Sequence, residues 1–177
     1  MFKDFKKLKS KEIIYKNDLL DALKKYAKNI SIFDIMSSTS NFRDACKYVR
    51  DEYKGHFDDI YIKNFYMKVA EIGIDDKEYN EKIHKKKYLK AIDFFSNQDE
   101  NREEEDPENE FKKQRQIYYL ICIYTTFILE EPIHAVGSIF PGHTKVREDN
   151  GKFYCPVKAN NTTNPKAVCR FCLAHQG

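Results

Sequence analysis

The sequence predicts a mainly α fold, a helical bundle of about five helices with a small irregular, cysteine-containing C-terminal module that includes a β-hairpin. Three observations predict it. Apolar residues recur at helical spacing in one segment after another up to residue 131. The run Ile117–Leu129, IYYLICIYTTFIL, is apolar almost all round, as a central bundle helix has to be. Beyond it, residues 132–177 hold four of the five prolines and four of the six glycines and lose the helical period. The expected division is therefore a bundle over 1–131 with a Cys/His module over 132–177 docked on it. The β-branched and aromatic content of 117–129 also suits a buried strand, and is the main competitor to this reading.

Taken in order, residues 1–11 read as a frayed basic arm, with Lys3, Lys6, Lys7, Lys9 and Lys11 crowded together. A first helix fits roughly 12–29, with Leu19, Leu20, Leu23, Tyr26 and Ala27 on one face. Ser37-Ser38-Thr39-Ser40, rich in N-cap residues, reads as a break. A second helix then carries Phe42, Ala45, Cys46, Val49 and Tyr53 and stops at Gly55. A third runs from near Asp58 to Gly73 with Phe65, Tyr66, Val69 and Ile72 inward, and a fourth from Asp76 to Phe95. Gln98–Asp106 reads as an acidic loop, and Asp106-Pro107 as an N-cap followed by proline at the first helical position of the fifth helix. In the tail, Asn150-Gly151 lies between two short strand-like segments and suits a two-residue type I′ turn.

Composition narrows the function classes. The net charge of +3 and an acidic stretch from Asp99 to Glu110 disfavour nucleic acid as a partner. The longest apolar run falls short of the roughly 20 residues that span a bilayer, and the start MFKDFKKLKSK lacks an apolar export segment. A cytoplasmic protein that keeps away from membranes is expected, with reduced thiols, so five cysteines point to metal or chemistry rather than to disulfides.

Cys155, Cys169 and Cys172 carry the chemistry, with spacing C-x13-C-x2-C. A C-x2-C pair lets two thiolates converge from a tight turn, and a third thiolate from a hairpin strand closes most of a tetrahedron. In Cys155-Pro156-Val157-Lys158, lysine stands where a second knuckle cysteine would be, so the fourth ligand comes from elsewhere. His134 is preferred, ahead of His143 and His175. Zn²⁺ in a Cys₃His site is the expected cofactor, with an iron–sulfur cluster as the alternative. The competing readings are three small buried residues beside Phe153, Tyr154 and Phe171, and a redox pair at 169–172. Cys46 and Cys122 fall on apolar helical stretches and read as core. Glu81-x-x-His84 matches half of a carboxylate-bridged di-iron motif, which needs a second such motif and two further glutamates.

The ordered combination His134-Ala135-Val136-Gly137, Phe140-Pro141-Gly142, Gly151-Lys152-Phe153-Tyr154-Cys155-Pro156-Val157-Lys158 and Asn164-Pro165-Lys166-Ala167-Val168-Cys169-Arg170-Phe171-Cys172 resembles an uncharacterised family of small archaeal proteins found chiefly in methanogens. The resemblance covers about the last 45 residues. It implies a cytoplasmic protein of an anaerobe and supplies no catalytic residue, substrate or partner. In that family the histidine is followed by proline and Phe-Pro-Gly by another glycine, where this chain has Ala135 and His143. Two functional classes follow: a binding or structural protein whose closed metal site fixes the tail, or an enzyme whose metal keeps an open position.

Overall fold

The computed structural model describes residues 1–45, 65–106, 108, 111–140, 142–165 and 167–177. Among them are seven α-helices and two small sheets, so the fold is mainly α. The expected second helix beyond Ala45, its stop at Gly55, the start of the third helix and Pro107 lie outside the described residues.

Helix α1 (Phe2–Lys7) and a 3₁₀ turn (Leu8–Ser10) replace the frayed arm. Phe2 and Phe5, three apart, present one apolar edge, and Phe5 is fully buried. Phe2 meets Tyr119 edge-on at 5.4 Å, and the buried Tyr88 hydroxyl donates to the Phe5 carbonyl at 3.0 Å. Asp4 then ties α1 to helix α2 (Lys16–Ala27), accepting from Lys25 at 2.8 Å and from the Tyr26 hydroxyl at 2.5 Å. Lys25, then Lys7 and Tyr26, hold its carboxyl well below the ordinary range. The lysines around the two phenylalanines concealed this short amphipathic turn.

Helix α3 (Ile32–Ala45) runs straight through the expected break at 37–40. Ser38 and Thr39 bond back to the carbonyls of Asp34 (2.7 Å) and Ile35 (2.8 Å), which satisfies both hydroxyls inside a helix. The start is set by a capping box one turn earlier: the Ser31 amide donates to Asp34 and the Asp34 amide donates to the Ser31 Oγ. Helix α4 (Lys68–Ile74) ends one residue past Gly73, near the expected stop of the third helix.

The expected fourth helix is displaced. Residues 75–84 form no helix, and Tyr15 bridges Lys82 in antiparallel fashion, with the Ile83 amide donating to the Ile14 carbonyl at 2.8 Å. Helix α5 (Lys85–Glu105) starts only after His84, whose Nδ1 caps the Lys87 amide. It continues through the acidic stretch. The reason lies across the bundle: buried Arg115 donates to Asp99 (3.4 Å) and Asp106 (2.6 Å), and Ser96 donates to Glu100 at 3.0 Å. Those contacts give the carboxylates a helical role that charge composition alone conceals.

Helix α6 (Lys112–Tyr124) is central as expected and ends in a π turn (Thr125–Leu129). Ile117, Leu120, Ile121, Cys122 and Ile123 have no exposure. Glu130 stops the turn in the left-handed region at φ 55°, an uncommon place for glutamate.

The tail forms β1 (Ile139–Phe140) antiparallel to β2 (Thr144–Lys145), and a second sheet in the order β3 (Arg147–Asp149), β4 (Lys152–Cys155), β5 (His175–Gln176). The predicted hairpin is β3–β4, turned by Asn150 and Gly151 at φ 50° and 73°, as a type I′ turn demands. β5 runs parallel to β4, with Cys155 opposite Gln176. A short helix α7 (Lys158–Thr162) and a 3₁₀ turn (Val168–Arg170) lie between them. Val146, Cys155 and Ala174 form a small core within the tail, whereas Ile133, Val168 and Phe171 belong to the core of the bundle. The Phe171 ring sits 5.2 Å from Phe94 and 6.0 Å from Phe95, on α5.

Candidate functional site

Cys155 ends β4 and is buried beside Val146 and Ala174. The chain turns sharply after it, through Pro156, so that the Val157 and Lys158 amides point at its sulfur and favour its thiolate. Burial outweighs them and, with Cys172 nearby, holds the thiol above its ordinary value. Cys169 lies in the 3₁₀ turn, partly exposed, and is also pushed up by burial and then by Cys172 and Cys155. Cys172 packs against both cores, that of the bundle and that of the tail. The three thiols therefore lie in one another's electrostatic field, and burial favours the protonated form of Cys155 and Cys169.

Backbone and side-chain bonds frame this corner. The Lys158 ammonium donates to the carbonyls of Cys172 (2.8 Å) and Ala174. Gln176 accepts from the Ala159 amide at 2.6 Å and donates to the Pro156 carbonyl at 3.0 Å, closing the turn after Cys155 against β5. Arg170 donates to the Asn164 carbonyl at 2.9 Å and lies over the Phe94 ring.

The His134 ring meets Phe140 edge-on at 5.3 Å and is partly buried; burial lowers its pKa and keeps the imidazole neutral. His143 is exposed in the β1–β2 turn at φ 56°. His175 is exposed on β5, near the Tyr154 ring. Among the described residues, no three of His, Cys, Asp and Glu stand close enough together to hold a metal ion in this conformation.

Two features escaped the sequence. Cys122 is core, as expected, yet its thiol shares a field with Cys172 and Cys169. Periodicity has no way to pair a helix residue with a tail some 50 positions on. The second feature is a polar network where the central helix ends. Lys16, only 5% exposed, pairs with Glu130 at 3.5 Å and lies over the Tyr79 ring. The Tyr79 and Tyr124 hydroxyls both donate to Asp75 Oδ2, at 3.0 and 2.7 Å. Lys87, partly buried, connects the two features: burial and then Lys158 push its amine down, while Cys172 and Glu130 act in the opposite sense. Glu81 lies before α5 and His84 is its N-cap, so the two do not share the helix face a di-iron motif needs.

A helical bundle with a cysteine-bearing β module whose Phe171 packs on α5 defines the class of protein. The chain belongs to the DUF2115 family, described as uncharacterized protein conserved in archaea, whose model matches residues 15–177. A UPF0305 protein of Methanothermobacter thermautotrophicus is 35% identical over 158 residues, covering 89% of this chain and 94% of the relative. A UPF0305 protein of Methanocaldococcus jannaschii is 29% identical over 162 residues, covering 88% and 93%. No solved structure matches. No helix among the described residues is long and apolar enough to cross a membrane.

Proposed function

We propose that Cys155, Cys169 and Cys172 hold one Zn²⁺ and that metal binding fixes the C-terminal module in a cytoplasmic, non-catalytic protein. The observation that carries this is the turn after Cys155. Two successive amides, from Val157 and Lys158, face one sulfur, and two further thiols share its field. Buried neutral thiols gain little from such donors, whereas a thiolate bound to a cation gains a charge-assisted bond from each. Drawing the thiols together couples metal binding to folding of the module, and a structural zinc contributes on the order of 10 kcal/mol to such a segment. His134 is neutral, as a ligand must be, and remains one candidate for the fourth place.

Elemental analysis of anaerobically purified protein tests the reading. One equivalent of zinc is the expected result. Iron with sulfide redirects it to an iron–sulfur cluster on the same thiols, and protein that neither retains nor takes up metal returns the cysteines to the core. The charge interaction of partly buried Lys87 with both Cys172 and Glu130 favours a second reading, an enzyme whose metal keeps an open position. X-ray absorption separates the two, because only the enzyme has an exchangeable water on the ion.

A further inference from the structure

We infer that the outward face of the three-stranded sheet binds single-stranded nucleic acid. Strand pairing gathers residues there that are far apart in the chain. Arg147 on β3 lies directly opposite Tyr154 on β4, and Tyr154 lies directly opposite His175 on β5. Side chains alternate between the two faces of a sheet, and Phe153 and Cys155 take the inner face, in the tail core. Arg147, Tyr154 and His175 therefore form one row across the outer face. The Arg147 guanidinium lies over the Tyr154 ring at 4.3 Å, and the His175 ring is 6.0 Å from that of Tyr154. Arg147 and His175 are exposed and Tyr154 is half-buried.

The chemistry of the row fits an unpaired base and its phosphate. Unstacked bases settle on aromatic rings and on guanidinium planes, and every base has a face to offer. Arg147 is anchored by Tyr154 yet stays exposed, so its guanidinium is open to a base or a phosphate. Lys152 is exposed on the same face, opposite Asp149. Lys145 is exposed too, and buried Val146 between it and Arg147 turns both to the outer side. Against these cations stands Asp149, whose carboxylate accepts from Asn150 at 3.0 Å. The face is thus cationic around an aromatic ring, the arrangement that follows a phosphate backbone while stacking its bases. The small net charge counts against nucleic acid only for the chain as a whole, and Asp99 and Asp106 of the acidic stretch are bonded by Arg115 in the bundle. The zinc reading concerns the inner side of β4, so the two stand or fall separately.

The test is fluorescence anisotropy of a labelled oligoadenylate RNA of about ten nucleotides, titrated with full-length protein. Saturable binding is expected, and three phosphate contacts should weaken it about 20-fold between about 50 and 200 mM salt. Tyr154→Ala should weaken binding at least about 5-fold, and Tyr154→Phe, which keeps a ring, should retain it. Arg147→Glu should weaken it about 10-fold or more. Lys9→Glu, the same charge change at an exposed residue of the N-terminal 3₁₀ turn, should leave it unchanged. Four results each overturn the inference: no saturable binding at about 50 mM salt, wild-type affinity in folded Tyr154→Ala, equal losses in Arg147→Glu and Lys9→Glu, or equal affinity for a duplex of the same length. Should Tyr154→Ala fail to fold, Arg147→Glu against Lys9→Glu still decides, because both positions are exposed.

Discussion

Replacing Phe171 with alanine tests whether the C-terminal module is part of the bundle or an attachment to it. Phe171 is 8% exposed and belongs to the bundle core although it lies only six residues from Gly177. Phenylalanine-to-alanine changes at buried sites cost about 3–5 kcal/mol. Its ring also meets Phe94 and Phe95, and each aromatic pair adds about 0.5–1.5 kcal/mol. The site lies at the edge of the core, where neighbours can close in, so a value near the lower end, about 3 kcal/mol, is expected. With a urea slope of about 2 kcal/mol/M, the midpoint should fall by about 1.5 M. The assay is urea unfolding of metal-free protein, followed by circular dichroism at a helical wavelength. The bundle's own signal is what reports the loss, because the removed ring packs on α5. A loss below about 1 kcal/mol would refute the reasoning and leave the module as a separately ordered appendage.

Phe5→Ala should cost about 3–5 kcal/mol in the same assay, since the ring is fully buried; a frayed arm would give no measurable change. The pH dependence follows from carboxylates held below their ordinary value. In Asp75 burial acts upward but is outweighed by bonds from Tyr124, the Lys77 amide and Tyr79; in Asp4 the bonds from Lys25, Lys7 and Tyr26 dominate. A group with a depressed folded pKa contributes stability that is complete above its unfolded value, about 3.9 for Asp, and is lost as pH falls toward the folded value. Unfolding free energy from these groups should therefore hold steady from about pH 7 to 5 and decline below about 4, as acid titration of the urea midpoint will show. Asp75→Asn should cost about 1–2 kcal/mol at neutral pH and reduce that acid slope; an unchanged slope would remove Asp75 from the account.

Where sequence and structure part, a specific polar or backbone contact is responsible. Gln98–Asp106 has the composition of a loop, but Arg115 draws Asp99 and Asp106 to one helix flank and extends α5 through it. Residues 76–84 have apolar members at helical spacing, but pairing of Ile14 and Tyr15 with Lys82 and Ile83 keeps that end out of the helix. Ser37–Ser40 carries capping residues, yet two hydroxyls find carbonyl acceptors four residues back and the cap falls at Ser31 instead. Local propensity is weak beside such contacts, each of which satisfies a polar group or buries an apolar one.

The sequence by itself determined the mainly α class, the central position of residues 117–124 and the hairpin at Asn150-Gly151. These rest on local quantities: a helical apolar period, an all-round apolar helix, and two adjacent residues able to take positive φ. It also singled out Cys155, Cys169 and Cys172, because ligand spacing is itself local. Tertiary structure alone decided that α1 is core, that Phe171 binds the tail to α5, and that Cys122 shares a field with Cys169 and Cys172. The physical reason is that burial and electrostatic proximity depend on which surfaces meet, and a one-dimensional pattern carries the surfaces but not their pairing.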